Sequence, residues 1–145
     1  MAPRGFTLIE LLVALAVMAA VLTVAVPLIS NAMPGVTLKS AARDVAAALR
    51  TSRSRAISGN REATFTLDVG TRRYAVDGEQ RVGTLAEDLE VSFVSARSER
   101  LDETTGVVRF YPDGSSTGGR VSLSRGERQY HVDVDWLTGR ISIRD

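Results

Sequence analysis

Glu10 is the only ionisable side chain in an otherwise apolar run from Phe6 to Ile29. The stretch Thr7 to Val26 within it has 20 residues, which as a helix is about 30 Å long and crosses the hydrocarbon core of a bilayer. A carboxylate in that setting costs roughly 2.5–3.5 kcal/mol or more and by default marks function rather than packing. The chemistry it offers is that of a counter-charge, which implies a partner cation. Elsewhere His131, Asp133 and Asp135 alternate along an expected strand. That spacing sets them on one face, where a metal or an acid–base pair would fit, but polar i, i+2 positions are also what any solvated sheet face shows. Asp113 and Ser115 sit in a turn sequence and are explained by turn chemistry. With one histidine and no cysteine, disulfides and thiolate sites are excluded, and zinc would need a carboxylate site that it rarely uses. No nucleophile–base constellation is legible. The expectation is a protein that is not an enzyme and needs no cofactor and no metal.

The elements that must position these groups emerge from periodicity and punctuation. Arg4 is the sole charge ahead of the apolar run, so by the positive-inside rule it stays cytoplasmic and the chain beyond the run lies across the membrane. The run is longer than the apolar core of a secretory signal peptide and lacks a small-residue cleavage site after it. A plain membrane anchor fits its length but leaves Glu10 unexplained. Pro27 removes a helical hydrogen bond late in the run and introduces a kink, and Asn31 to Gly35 reads as a break. From Thr37 to Ser58, Leu38, Ala42, Val45, Leu49, Ser52 and Ala56 recur at spacings of four and three. They form a narrow stripe of mostly small residues, suited to lying against a sheet. Ser58-Gly59-Asn60 supplies the stop.

The remainder is punctuated as β-structure. Ala63, Phe65, Leu67 and Val69 alternate with polar residues, and the chain returns through Tyr74 and Val76. Further short runs are Leu89-Val91-Phe93, Val108-Phe110, Val121-Leu123, Tyr130-Val132-Val134-Trp136 and Ile141-Ile143. Short strands between turns predict antiparallel sheets, two in number, packed on the helix. Residues 77–83 and 95–105 are expected to be polar loops. The 111 residues beyond Pro34 suffice for one modest core.

Charge is unevenly placed. Lys39 to Arg61 holds six basic residues against Asp44 alone, a balance of +5, whereas Glu62 to Asp145 holds 11 basic and 15 acidic, a balance of −4. Such a basic helix can dock an acidic head of a like subunit, face anionic headgroups, bind a polyanion such as DNA, or simply be solvated. The residues put forward for a docking or polyanion face are Arg43, Arg50, Arg53, Arg140 and Arg144.

The run Arg4-Gly5-Phe6-Thr7-Leu8-Ile9-Glu10 resembles the processing site of type IV pilins and of the pseudopilins of type II secretion systems. The resemblance implies a cut between Gly5 and Phe6 by a prepilin peptidase, followed by N-methylation of Phe6. It also implies that Glu10 neutralises the new amine of a neighbouring subunit and so sets filament register, the use of a buried charge pair that is best attested. Pro27 falls where pilin-like anchors bend as they pack. Phe110 to Gly119 and the hairpin Thr138-Gly139-Arg140 are similar to the GspH/FimT group of minor pseudopilins and minor pilins. What this implies is an α+β fold: a long N-terminal helix, transmembrane half plus amphipathic half, packed on antiparallel β-sheets. The divisions would be a leader at 1–5, a transmembrane helix at 6–29, a kink and helical stem at 30–61, and a periplasmic β head at 62–145. The implied role is a minor pseudopilin of the H type, a structural subunit at or near the tip of the pseudopilus, held in the bacterial inner membrane. Implied partners are the prepilin peptidase, other major and minor pseudopilins, the inner-membrane assembly platform, and the outer-membrane secretin or cargo. The alternative is a FimT-like minor pilin for pilus assembly or for DNA binding and uptake. Its electrostatic footprint is thin, because Arg140 and Arg144 are split by Ile-Ser-Ile and followed by Asp145, and non-specific DNA affinity needs several phosphate contacts.

Overall fold

A computed structural model describes residues 8–18, 34–77, 82–95 and 104–145. The chain divides into two compact units, Met1–Pro34 and Gly35–Asp145. In the first, residues 8–18 form helix α1, whose side chains are all exposed, Glu10 among them. Gly5, Phe6 and Pro27 lie outside the described residues. No helix among the described residues is long and apolar enough to cross a membrane.

The second unit opens with helix α2, Pro34–Gly59. It starts three residues earlier than the apolar pattern indicates, and the proline read as part of a break is its first residue. Proline suits that position, since its φ is preset and the missing N–H would have no helical partner there. All six residues of the predicted stripe are buried, and Ala41 and Ala46 widen it. The helix ends on a Schellman motif in which Arg61 N–H donates to Ala56 O (3.3 Å) and Asn60 N–H to Ile57 O (3.4 Å). The left-handed residue there is Asn60 (φ 46°), not Gly59, a role open to asparagine as well as glycine.

Eight strands complete the unit: β1 Ala63–Asp68, β2 Arg73–Val76, β3 Val82–Thr84, β4 Glu90–Val94, β5 Thr105–Phe110, β6 Gly119–Arg125, β7 Arg128–Val134 and β8 Ile141–Arg144. They make two four-stranded sheets, ordered β3-β2-β1-β5 and β4-β6-β7-β8, antiparallel at every pairing. β3 was not legible: residues 82 and 83 read as the end of a polar loop, yet the strand pairs with β2, where the Tyr74 ring covers Gly83 opposite it. β7 also ends earlier than the alternation implies, at Val134, which leaves Trp136 two-thirds exposed instead of extending the buried set.

One core joins the helix stripe to Phe65, Leu67, Val108 and Phe110 of the first sheet and Val121, Leu123, Val132 and Val134 of the second. The sheets are also tied by Phe93 of β4, whose ring occupies the space where a Cβ on Gly106 of β5 would stand. Ser52, the one polar member of the helix stripe, lies within hydrogen-bond distance of Ala48 O (3.2 Å) and of Thr64 O in β1 (3.3 Å). A buried hydroxyl thus keeps a partner, as burial requires. Leu49, fully buried at the centre of the stripe, is the sharpest probe of this packing. Leu49→Ala is expected to cost about 2–5 kcal/mol, read as a lower urea midpoint for the fragment 35–145; an unchanged midpoint would mean that the helix does not bear on the core.

Candidate functional site

The two segments that carried the resemblance in the middle and at the end of the chain meet in space, and a side chain of α2 joins them. Tyr111 to Gly114 is a tight turn closed by Gly114 N–H to Tyr111 O (2.9 Å), with Gly114 at φ 85°, a conformation that disfavours any residue with a Cβ. The Asp113 carboxylate accepts from Ser115 N–H (2.9 Å) and Ser115 Oγ–H (2.6 Å). Those bonds, the side-chain one first, hold its pKa below the ordinary carboxylate value. Between β7 and β8, Asp135 plays the same part for the second turn. Its carboxylate accepts from Thr138 N–H (2.8 Å), Thr138 Oγ–H (2.9 Å) and Leu137 N–H (3.1 Å). Its pKa is likewise lowered, first by the Thr138 backbone bond and then by the Thr138 hydroxyl. This carboxylate turns the chain directly after Val134, which is why Trp136 leaves the strand.

Ser116, a buried residue, locks the turns together. Its N–H donates to Trp136 O (2.9 Å) and its hydroxyl to Asp135 O (3.0 Å). Gly139, at φ 60°, lies so close to Gly114 O that a Cβ would strike it. Arg53 of α2 closes the joint, donating Nε to Gly114 O (3.1 Å) and Nη2 to Thr138 O (3.0 Å). Beside it opens a cavity of about 900 Å³ lined by Arg50, Arg53, Ile57, Asp135, Arg140 and Ile141, among others.

The structure therefore sorts the five arginines. Arg50, Arg53 and Arg140 converge on the cavity. Arg53 is no surface cation held for a partner, because both of its bonds are internal. Arg43 is exposed on α2, away from the cavity lining. Arg144 lies 3.3 Å from Asp133, which also accepts from Arg120 at 2.5 Å, so its charge faces a carboxylate rather than solvent alone. The strand face read as His131, Asp133 and Asp135 is corrected too. Asp135 belongs to the turn, and His131 Nδ1 is 2.9 Å from Ser122 Oγ on the paired strand. Among the described residues no group of three or more His, Asp or Glu side chains is placed to hold a metal. Sequence reasoning missed Arg53 and Ser116 as joint residues. The signal available was the Asp-x-x-Thr spacing at 135–138, which is Asx-turn chemistry.

A helix backed by two antiparallel sheets, with an apolar N-terminal segment ahead of it, is the architecture of pilin-like subunits. The minor pseudopilin EpsH of the Vibrio cholerae type 2 secretion system superposes with a TM-score of 0.59 at 18% identity, covering 74% of this chain and 95% of that one. The type IV minor pilin FimU of Pseudomonas aeruginosa superposes with a TM-score of 0.57 at 18% identity, covering 74% and 88%. Fold is what these two likenesses share with the chain. Sequence comparison is more selective. Residues 1–26 match the prokaryotic N-terminal methylation motif and residues 41–139 match the type II transport protein GspH. The type II secretion system protein H of Xanthomonas campestris pv. campestris is 35% identical over 138 residues, 95% of this chain and 81% of that protein. The chain belongs to the GspH family of type II transport proteins.

Two measurements test the joint. Arg53→Ala removes two charge-assisted bonds and is expected to destabilise 35–145 by about 1–3 kcal/mol, while Arg43→Ala stays within about 0.5 kcal/mol. Equal effects would deny Arg53 its bridging role. Both turn carboxylates have lowered pKa values, so their contribution is present above the unfolded carboxylate range and is lost as pH falls through the folded values. Thermal stability should be level above about pH 5 and decline below about pH 4, and Asp135→Asn should flatten that decline. A decline of the same steepness in the variant would remove Asp135 from the account.

Proposed function

We propose that the protein is a minor pseudopilin of the H type, a structural subunit at or near the tip of the pseudopilus of a type II secretion system. The observation that carries this reading is the joint match of one chain to the methylation motif over 1–26 and to the GspH family over 41–139. The 35% identity to a protein named type II secretion system protein H supports secretion over pilus assembly. In this reading Gly5 and Phe6 flank the processed bond, the prepilin peptidase makes the cut, and Phe6 carries the methylated amine. The anchor sits once across the inner membrane with its N-terminus cytoplasmic and residues 62–145 periplasmic. The exposed Leu8, Ile9, Leu11, Leu12, Leu15 and Met18 of α1 supply the apolar surface that lipid, or neighbouring anchors in a filament, would cover.

Function is then mechanical. The anchor is stored in the membrane, drawn by the assembly platform into a helical stack of anchors, and the β head is presented to other pseudopilins, the secretin or cargo. Glu10 on α1 sets the register by meeting the Phe6 amine of an adjacent subunit, which offsets the desolvation of both groups. Pro27 lets the anchor bend as it packs.

The test is genetic and chemical together. Mass spectrometry of the wild type should find a chain beginning at N-methyl-Phe6, and Gly5→Val should leave the uncut precursor in the membrane. Glu10→Leu should be processed and stay in the membrane, since it removes a membrane-buried charge. It should no longer co-purify with other pseudopilins, because breaking one side of a buried pair costs about 3–5 kcal/mol. A Glu10→Leu protein that assembles and secretes like the wild type would end the registration role, and a mature terminus at Met1 or Ala2 would end the processing reading.

A further inference from the structure

The cavity beside the joint has features that the structural role of the joint does not require. Arg50 on the α2 wall and Arg140 on the hairpin wall are exposed, and their guanidinium groups are hydrogen-bonded to no described residue. Asp135, the acidic group of the lining, is held by its own turn, and the Arg140 charge also acts on it, so the three arginines leave the lining net positive. The lining between the two cations includes Ile57, nearly half exposed, and Ile141. The turn that carries Arg140 also holds Trp136 and Leu137, each about two-thirds exposed. Exposed arginine beside part-exposed isoleucine is a composition suited to an interface.

We propose that this groove receives a carboxylate-bearing segment of a neighbouring pseudopilin. In it one Asp or Glu is held by Arg50 and Arg140, and an apolar side chain next to it rests on Ile57 and Ile141. The proposal rests on the reading of the chain as a pseudopilin and names the surface by which its head meets a neighbour. Charge complementarity selects the occupant. Arg50 and Arg140 line the same cavity, and arginine binds a carboxylate in bidentate fashion. A nucleic acid fits poorly. Its affinity comes from many phosphate contacts, whereas beyond the internally bonded Arg53 this lining offers only Arg50 and Arg140 as cations. An anionic lipid surface would need a field of cations on one plane, and Arg43 and Arg144 do not join this groove.

The experiment uses the full chain expressed at its native level in secreting cells, with the photo-crosslinking residue p-benzoylphenylalanine at Ile57. The expected result is a light-dependent adduct with another pseudopilin, mapped by mass spectrometry to a segment containing Asp or Glu. Arg50→Glu with Arg140→Glu should lower that adduct about tenfold, the effect of losing about 1.4 kcal/mol of binding, and Lys in place of the mapped acid should restore it. Arg50→Gln with Arg140→Gln gives the same readout without introduced charge, and thermal unfolding of each variant confirms a folded head. An adduct that survives both double variants, one mapped to a segment without a carboxylate, one with lipid or DNA, or no adduct at all would overturn the groove. The broader reading is scored separately, by loss of secretion on deletion of the gene. Deletion that abolishes secretion with no groove adduct rejects the groove alone, and an acidic adduct with a pilus subunit keeps the groove while rejecting secretion.

Discussion

The two sheets share one helix, and of the eight residues on the buried face of α2 five are alanine or serine, with Leu38, Val45 and Leu49 supplying its bulk. Ala42, Ala46, Ser52 and Ala56 are fully buried and bring little side chain between the helix backbone and the strands. The bulk that fills the core comes from both sides, Leu38 and Leu49 on the helix and Phe65, Phe110, Leu67 and Leu123 on the sheets, and large residues alternating with small ones pack closely. Ser52 reaches Thr64 O and the long side chain of Arg53 reaches the two turns, so adjacent residues of the helix tie it to β1 and to the joint.

Much of this was readable in advance, and the reasons differ by element. The helix stripe and β1, β5 and β6 announce themselves because burial on one face imposes a period of 3.6 or 2 that only buried positions must obey. β3 did not, since its hold comes from an aromatic ring laid over a glycine across the strand pair, an interaction that leaves no periodic trace. Trp136 misled for the opposite reason. Its alternation with Val134 is real in sequence, yet the Asp135 carboxylate captures the next N–H groups along the chain and ends the strand. Local hydrogen bonding of Asx type competes with a ladder wherever the strand has no further partner to gain.

The candidate site was legible as parts and not as a whole. The turn sequences at 112–114 and 138–140 were recognisable by composition, and Arg50, Arg53 and Arg140 by charge. That these parts gather around one joint and its cavity depends on topology, which brings residues 53, 114 and 139 together across more than 80 positions of chain. Charge by itself was the least reliable guide. Of the stem cations, Arg53 caps two turns, Arg55 donates to Asp77 O at 2.7 Å and Arg61 lies 3.4 Å from the Asp77 carboxylate. Half of the six stem cations thus bond within the subunit, two of them to backbone carbonyls and Arg61 to a carboxylate.

That internal meeting changes what the charge asymmetry can do between subunits. Exposed ion pairs such as Arg61–Asp77 contribute little each, about 0–1 kcal/mol, so they orient more than they bind. The cations left over, Arg50 and Arg140, differ from the rest in standing beside uncovered apolar surface. Both are exposed and hydrated on their own, and a partner that also covered Ile57 and Ile141 would strengthen the ion pairs it buries. A neighbour that brought an acidic group to Arg50 and Arg140 would supply counter-charge and cover together.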